Sequence, residues 1–351
     1  MLPNKSSNAV LAKARAMYGR RLSDDDYREL ASCRSMPELA GCLKTKPLYA
    51  PDLVEVNPVF ARRAVLENNL QKSIFSRYAS LCRYDMSAGH NVYRYFILCS
   101  DIDEITSCLR CLDSGAPEQY LYILPDFLEK HTSLNLYKLA KVTDVESFLK
   151  ALKGTPYAAA LASLRTGDPG HGVLSRADPI LSKMRYEALV SLAPKDTNKV
   201  NMPDVRNYVE LECDTRSISN VARMKRMKMP KKATYASTQY DCTALTPQEW
   251  ERLLDTPDID AFKKELDNTI YGRQLAGISY GTLKEGMHKL QYQWCKKWLR
   301  FSTDPTLVML CYVFLAKIEI ENLSHIIEGV HYGLPADSIL PLLTGYTEKA
   351  A

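Results

Sequence analysis

An internal repeat with a period of roughly 110 residues constrains the fold of this chain more than any other feature of its sequence. Each copy contains an acidic residue, Asp101, Asp214 or Glu319, that is followed four residues later by Ile or Leu and nine residues later by a charged residue. Repeated units are stable together because each buries its apolar face against its neighbours. The repeat therefore predicts three similar lobes, and we place their boundaries at residues 1–118, 119–233 and 234–351.

The local signals within each copy are those of α-helices. Thr143-Asp-Val-Glu146 and Thr246-Pro-Gln-Glu249 have the spacing of a capping box, in which each side chain satisfies a backbone N–H of the first turn. Thr256, directly before Pro257, is a further candidate cap. Apolar residues recur at helical spacing, and alternating β-branched runs are scarce. We therefore predict an all-α chain.

The apolar runs of the sequence are too short for a membrane span. The longest, Leu307 to Ala316, has ten residues, whereas a spanning helix needs about 20. Residues 1–11 lack the apolar core of a secretory signal, so the ten cysteines are expected to be reduced thiols of the cytosol. We expect a cytoplasmic protein whose contact with a membrane is peripheral.

The sequence offers no catalytic or metal-binding motif. The glycine cluster Gly167–Gly172 lacks the Lys-Ser/Thr of a phosphate-binding loop, and the histidines form no metal-ligand pattern. Cys108 and Cys111 form a CxxC without a second pair at ligand spacing, which favours packing over zinc. We predict no cofactor, no metal and no enzymatic activity; an unrecognised enzyme site in the glycine cluster is the alternative.

The strongest charge feature is the segment 223–232, which holds six basic residues in ten. A solvated helix end explains it, because cations suit a helix C-terminus. A contact surface for an acidic protein partner is the sharper interpretation. Nucleic acid is a weaker third, because no aromatic interleaving accompanies the charge. One candidate function is therefore a helical-repeat scaffold that binds an acidic protein or nucleic acid through the segment 223–232.

Three stretches resemble one family. Glu319–Pro335 looks like the closing segment of the protein known as the C subunit in bacterial and archaeal V-type ATPases and as the d subunit in eukaryotic ones. Ala14–Met17 with Arg21–Ser23 resembles its opening helix, and Glu212–Lys225 resembles its middle stretch. The similarity runs from about residue 10 to 345 and keeps the order of the segments, which together with the repeat makes it specific.

The resemblance implies a non-catalytic rotor adaptor of a V-type or A-type rotary ATPase. In that family three lobes form a funnel, whose wide side sits on the proteolipid ring and whose cavity accepts the base of the central stalk. We then expect a monomer within the complex, peripheral on the inner face of the membrane and coupled to proton or sodium transport, with no nucleic-acid partner. The residues expected to line the socket for an acidic shaft are Arg110, Arg223, Lys225, Arg226 and Lys228.

Overall fold

The computed structural model describes residues 5–83, 89–123, 125, 128–129, 131–166, 172–192, 204–230 and 242–347. Most of these residues are helical, and none of them forms a β-strand. The prediction of an all-α chain is therefore confirmed.

The α-helices of the described residues are, in chain order, α1 (Lys5–Gly19), α2 (Asp24–Ala31), α3 (Met36–Thr45), α4 (Arg63–Cys82), α5 (Gly89–Asp113), α6 (Leu136–Leu139), α7 (Val145–Ala151), α8 (Pro156–Ala160), α9 (Val173–Val190), α10 (Val205–Arg226), α11 (Pro247–Asp255), α12 (Ile259–Leu266), α13 (Ile270–Leu275), α14 (Leu283–Phe301), α15 (Pro305–His331) and α16 (Ala336–Ile339). Short 3-10 helices span Pro58–Phe60, Pro117–Ile123, Ala162–Thr166 and Leu340–Leu342.

The chain divides into two compact units. Unit 1 comprises Met1–Cys33 and Val190–Ala351, and unit 2 comprises Arg34–Leu189. In unit 1, α1 and α14 both pack along α15, and α10 packs on α14. Helix α15 is buried along most of its length because it is apolar on nearly every face. In unit 2, α4 and α5 pack together, and the 3-10 helix after α5 covers α5. The threefold division of the chain stays a prediction.

The repeat acid of α5 is buried and fully engaged. Asp101 accepts hydrogen bonds from the hydroxyl groups of Thr132, Ser133 (3.0 Å) and Tyr157 (3.0 Å). Burial raises the pKa of the Asp101 carboxyl, and the three hydroxyl donors oppose the rise. The acid therefore fastens α5 to the loop before α6 and to the start of α8.

The repeat acid of α10 has a matching set of partners. Asp214 accepts hydrogen bonds from the Thr243 hydroxyl, from the Ala244 N–H at 2.8 Å and from the Tyr271 hydroxyl at 2.5 Å. Thr243 also accepts the indole N–H of the buried Trp250 at 2.9 Å. Burial raises the pKa of Asp214 to about 6 against these donors. Asp101 and Asp214 thus hold the same kind of Thr and Tyr contacts, which explains why the repeat has an acid there.

The acid of α15 makes the corresponding connection to the start of the chain. Glu319 is buried and accepts the backbone N–H of Leu22 at 3.2 Å. Leu22 directly precedes Ser23, which caps α2: the Ser23 side chain accepts the Asp26 N–H, and the Ser23 N–H donates to the Asp26 carboxylate at 2.8 Å. Glu319 therefore connects α15 to the residues just before α2, within unit 1.

The predicted helix caps are partly right. Thr246 and Glu249 form the expected capping box of α11, with the Glu249 carboxylate accepting the Thr246 N–H at 2.7 Å. The cap predicted at Thr143 is wrong: Asp144 caps α7 together with Ser147. The cap predicted at Thr256 is also wrong, because Asp258 is the N-cap residue of α12. In both places a carboxylate further along the chain reaches two N–H groups or closes a box, and Asp caps at least as well as Thr.

Candidate partner-binding surface

The surface of interest is the C-terminal end of α10, which we call the α10 tip and define as residues 223–230. Two backbone hydrogen bonds close it: Met229 N–H donates to Met224 O at 3.0 Å, and Lys228 N–H donates to Lys225 O at 3.1 Å. This pair of bonds is the Schellman motif, which satisfies the last carbonyls of a helix. The motif requires one residue in the left-handed conformation, and here that residue is Lys228, with φ 53°.

The long helices α5 and α15 end in the same way, fourteen residues after their repeat acids. Their left-handed residues are glycines, Gly115 with φ 73° and Gly333 with φ 69°. A side chain in this conformation costs roughly 1–2 kcal/mol, which glycine avoids. Lys228 is the one non-glycine residue with positive φ in the described part of the chain. The α10 tip therefore has a lysine at the position where α5 and α15 have glycine, the residue that this turn prefers.

Cations and apolar side chains alternate on the outer face of the α10 tip. Arg223, Arg226 and Lys228 are exposed. Met227, between Arg226 and Lys228, is 64% exposed, and Met229, which follows Lys228, is 44% exposed. Long cationic side chains supply charge at a helix end where the macrodipole favours it, and methionines supply an adaptable apolar surface. This combination suits an acidic protein partner.

Lys225 has a different position from its neighbours. Its ammonium group donates to the carbonyl oxygen of Leu254 at 3.1 Å and to that of Thr256, and it lies 5.9 Å from the Phe262 ring centroid. These carbonyls belong to the end of α11, where the helix leaves backbone acceptors without helical donors. Lys225 therefore fastens α10 to α11. No sequence signal could have revealed this contact, because it joins segments about 30 residues apart.

Arg110 is exposed on α5, nine residues after Asp101, as Arg223 is nine residues after Asp214. The structure places Arg110 in unit 2 and the four cations of the α10 tip in unit 1. The four cations of the α10 tip lie together at the end of one helix. Arg110 lies near the end of another helix, α5. Lys231 and Lys232, the last cations of the basic segment, lie outside the described residues.

The sequence of this chain matches the model of the ATP synthase (C/AC39) subunit family over residues 10–341. The chain belongs to that family. It is 24% identical over 335 residues to the C subunit of the A-type ATP synthase of Archaeoglobus fulgidus, with 94% of each chain covered. It is 21% identical over 341 residues to the C subunit of the A-type ATP synthase of Thermococcus onnurineus, covering 95% of this chain and 88% of the relative.

Membership in the C/AC39 family makes the chain a component of a rotary ATPase of the A/V type. The resemblance stated from the sequence is therefore confirmed. In the described part of the chain no helix is both long enough and apolar enough to cross a membrane.

The CxxC of this C/AC39 family member is a packing feature of α5. Cys108 is buried, and its thiol lies 3.7 Å from the carbonyl oxygen of Leu139. Burial raises the pKa of Cys108 to about 12, so the reactive thiolate form is disfavoured. Among the residues that the structure describes, no group of three His, Cys, Asp or Glu side chains is arranged to hold a metal ion. The alternative enzyme site falls on Gly167–Gly172, of which only Gly172 is described.

Proposed function

We propose that this chain is the non-catalytic adaptor that joins the central shaft of an A/V-type rotary ATPase to its proteolipid ring. The family match over nearly the whole chain carries the proposal. The A-type ATP synthase relatives support the same assignment, because they align over most of their own lengths. In this role the chain performs no chemistry: it transmits torque between ATP turnover and the transport of protons or sodium ions.

The chain works as one copy per complex, on the inner face of the membrane. The absence of a spanning helix among the described residues supports contact with the ring from the aqueous side. Such a contact needs an exposed surface of about 1,000 Å² or more in total to be stable. The adaptor must therefore present two separate surfaces, one for the ring and one for the shaft.

The α10 tip is the surface proposed for the shaft. Arg223, Arg226 and Lys228 are exposed cations on a helix end that is fixed to α11 by Lys225. Clustered positive charge accelerates encounter with an acidic partner, and close charge pairs fix the register of the complex. Lys225 contributes chiefly by holding the tip in place. Arg110 lies on a separate helix end in unit 2, and its assignment to the socket stays a prediction from the sequence.

The direct test is association with the ring. The purified chain is mixed with the detergent-solubilised proteolipid ring, with and without the central shaft, and complexes are separated by size. We expect the chain to elute with the ring in both mixtures. A chain that stays apart from the ring in both would refute the adaptor function.

A further inference from the structure

The loop between α3 and α4 exposes three apolar side chains to solvent. Val54 is 68% exposed, Val59 is 71% exposed and Phe60 is 76% exposed. We call these three residues the Phe60 surface. Single exposed apolar residues are common, but three large ones within seven residues of one loop, one of them aromatic, make that loop a candidate interaction site.

The backbone that carries the Phe60 surface is held by specific hydrogen bonds. The ammonium group of Lys44 donates to the carbonyl oxygens of Val54 at 3.1 Å and Val56 at 2.9 Å. The Asn57 side chain accepts the Val59 N–H at 3.1 Å and begins the 3-10 turn that ends at Phe60. The three side chains are therefore presented on a formed loop, and little conformational entropy is lost when a partner binds them.

The buried residues of this loop recur in the other copies of the repeat, whereas its exposed apolar residue at position 54 does not. Each copy of the repeat has a buried Tyr followed four residues later by a buried Leu: Tyr49 and Leu53, Tyr157 and Leu161, Tyr271 and Leu275. The residue after the Leu is Val54 in the first copy, but Ala162 and Ala276 in the others. The repeated architecture therefore does not require a large apolar side chain at this place.

The charges around the Phe60 surface distinguish it from the α10 tip. Arg62 and Glu55 are both exposed beside it and have opposite signs. Arg63 is paired with Glu67 at 2.8 Å. A surface that binds anionic lipid needs clustered cations beside its apolar residues, and this one has a balanced set. The balance favours a protein partner with an apolar recess, recognised without long-range attraction.

We propose that the Phe60 surface anchors this chain to the proteolipid ring, with the Phe60 ring inserted into an apolar recess on the cytoplasmic side of the proteolipids. The inference rests on the proposed adaptor function, which requires a ring contact in addition to the shaft contact. The proposed function assigns the cationic α10 tip to a shaft that is expected to be acidic, and the uncharged anchor is then assigned to the other partner. Aromatic anchors in a desolvated recess carry a large share of the binding energy of an interface.

The test uses Phe60→Ser in the full-length chain and measures affinity for the purified proteolipid ring. We expect ring binding to weaken by about thirtyfold or more, while shaft binding is unchanged. Leu121→Ser is the matched control, because Leu121 is also in unit 2 and is 55% exposed. It should leave ring binding as in the wild type. Phe60→Trp should retain most of the affinity, because the aromatic anchor is kept.

Three results would overturn the inference. One is a Phe60→Ser chain that binds the ring as tightly as the Leu121→Ser chain, which leaves the adaptor function standing. Another is wild-type binding to vesicles of mixed phosphatidylcholine and phosphatidylserine that Phe60→Ser abolishes, which would assign the surface to lipid. The third is a wild-type chain that does not bind the ring, which removes the proposed function as well.

Discussion

The C-terminal ends of α5 and α10 have the same backbone conformation but different side chains. Both helices close with a Schellman motif fourteen residues after a buried repeat acid. The three residues of the α5 end are small, Ser114, Gly115 and Ala116, whereas those of the α10 end are Met227, Lys228 and Met229. The shared turn belongs to the fold. The large and charged residues of the α10 tip are not needed for that turn, so they are the better candidates for function.

The largest effect on stability is expected from the buried repeat acid, which α5 and α10 have in common. Asp214→Ala leaves the Thr243 and Tyr271 hydroxyls and the Ala244 N–H without their acceptor inside the protein. We expect the free energy of unfolding to fall by about 3 kcal/mol or more, measured by urea denaturation. Glu251→Ala, at an exposed position of α11, should change it by less than about 0.5 kcal/mol. Equal small effects would show that the repeat acid is not a structural requirement.

The next effect distinguishes α5 from α10 through a second acid of α5, the half-buried Glu104. Burial raises the pKa of Glu104 to about 7, and Tyr120 donates to its carboxylate at 2.9 Å. The equivalent residue of α10 is Ser217. Because the folded protein holds the Glu104 proton more tightly than the unfolded chain, its contribution is full below pH 4.5 and is lost as the pH rises through about 7.

Glu104→Gln tests that difference. The amide stays neutral and can still accept the Tyr120 hydroxyl, so the variant should lose on the order of 2 kcal/mol of pH dependence between about pH 4.5 and 8. The measurement is the free energy of unfolding of both proteins across this range. Parallel pH curves for the variant and the wild type would contradict the assignment of the raised pKa to Glu104.

The charge difference between the two tips should govern shaft docking. Reversing Arg223, Arg226 and Lys228 together to Glu should weaken shaft affinity about tenfold or more at low salt. It should also remove the loss of affinity that the wild type shows as salt is added, because fewer favourable charge pairs remain to be screened. The measurement is shaft affinity against ionic strength, and ring binding should be unchanged.

The matched control for this triple variant reverses three other exposed cations of unit 1, Lys264, Arg273 and Lys284. It changes the net charge by the same amount. If the control weakens docking as much as the tip variant, the net charge of the chain governs docking and the α10 tip has no special role. Unchanged docking in both variants would leave the tip as a solvated helix end.

The smallest effect concerns the left-handed lysine. Lys228→Gly should raise the free energy of unfolding by about 1 kcal/mol, because glycine adopts φ 53° without strain. The same change should lower shaft affinity only slightly, since one exposed charge pair contributes about 0–1 kcal/mol. Lys228→Ala should lower shaft affinity equally without the gain in stability. A stability gain in neither variant would show that the turn is not strained.

Sequence reasoning predicted the helices and the repeat because both depend on local spacing. The capping box at Thr246 follows from four adjacent residues, and the acids at 101, 214 and 319 follow from counting. What the acids do could not be predicted, because the donors of Asp214 lie about 30 to 57 residues further along the chain. The role of Lys225 was missed for the same reason. Its charge suggested a partner surface, and its contacts are with backbone carbonyls of α11.

The left-handed conformation of Lys228 shows another limit. A glycine at this place would have marked the end of the helix, as Gly115 and Gly333 do in the sister helices. Lysine gives no such signal, and the equivalence becomes visible only when the three acids are used to align the copies. The Phe60 surface was missed because exposure of an apolar residue cannot be read from a short sequence stretch.

One experiment tests most directly whether this chain joins the shaft to the ring. The proteolipid ring is immobilised, the purified central shaft is added, and the shaft retained after washing is measured with and without this chain. We predict that the shaft is retained only when the chain is present, and that the triple variant of the α10 tip stays on the ring but retains less shaft. Equal shaft retention with and without the chain would contradict the adaptor function.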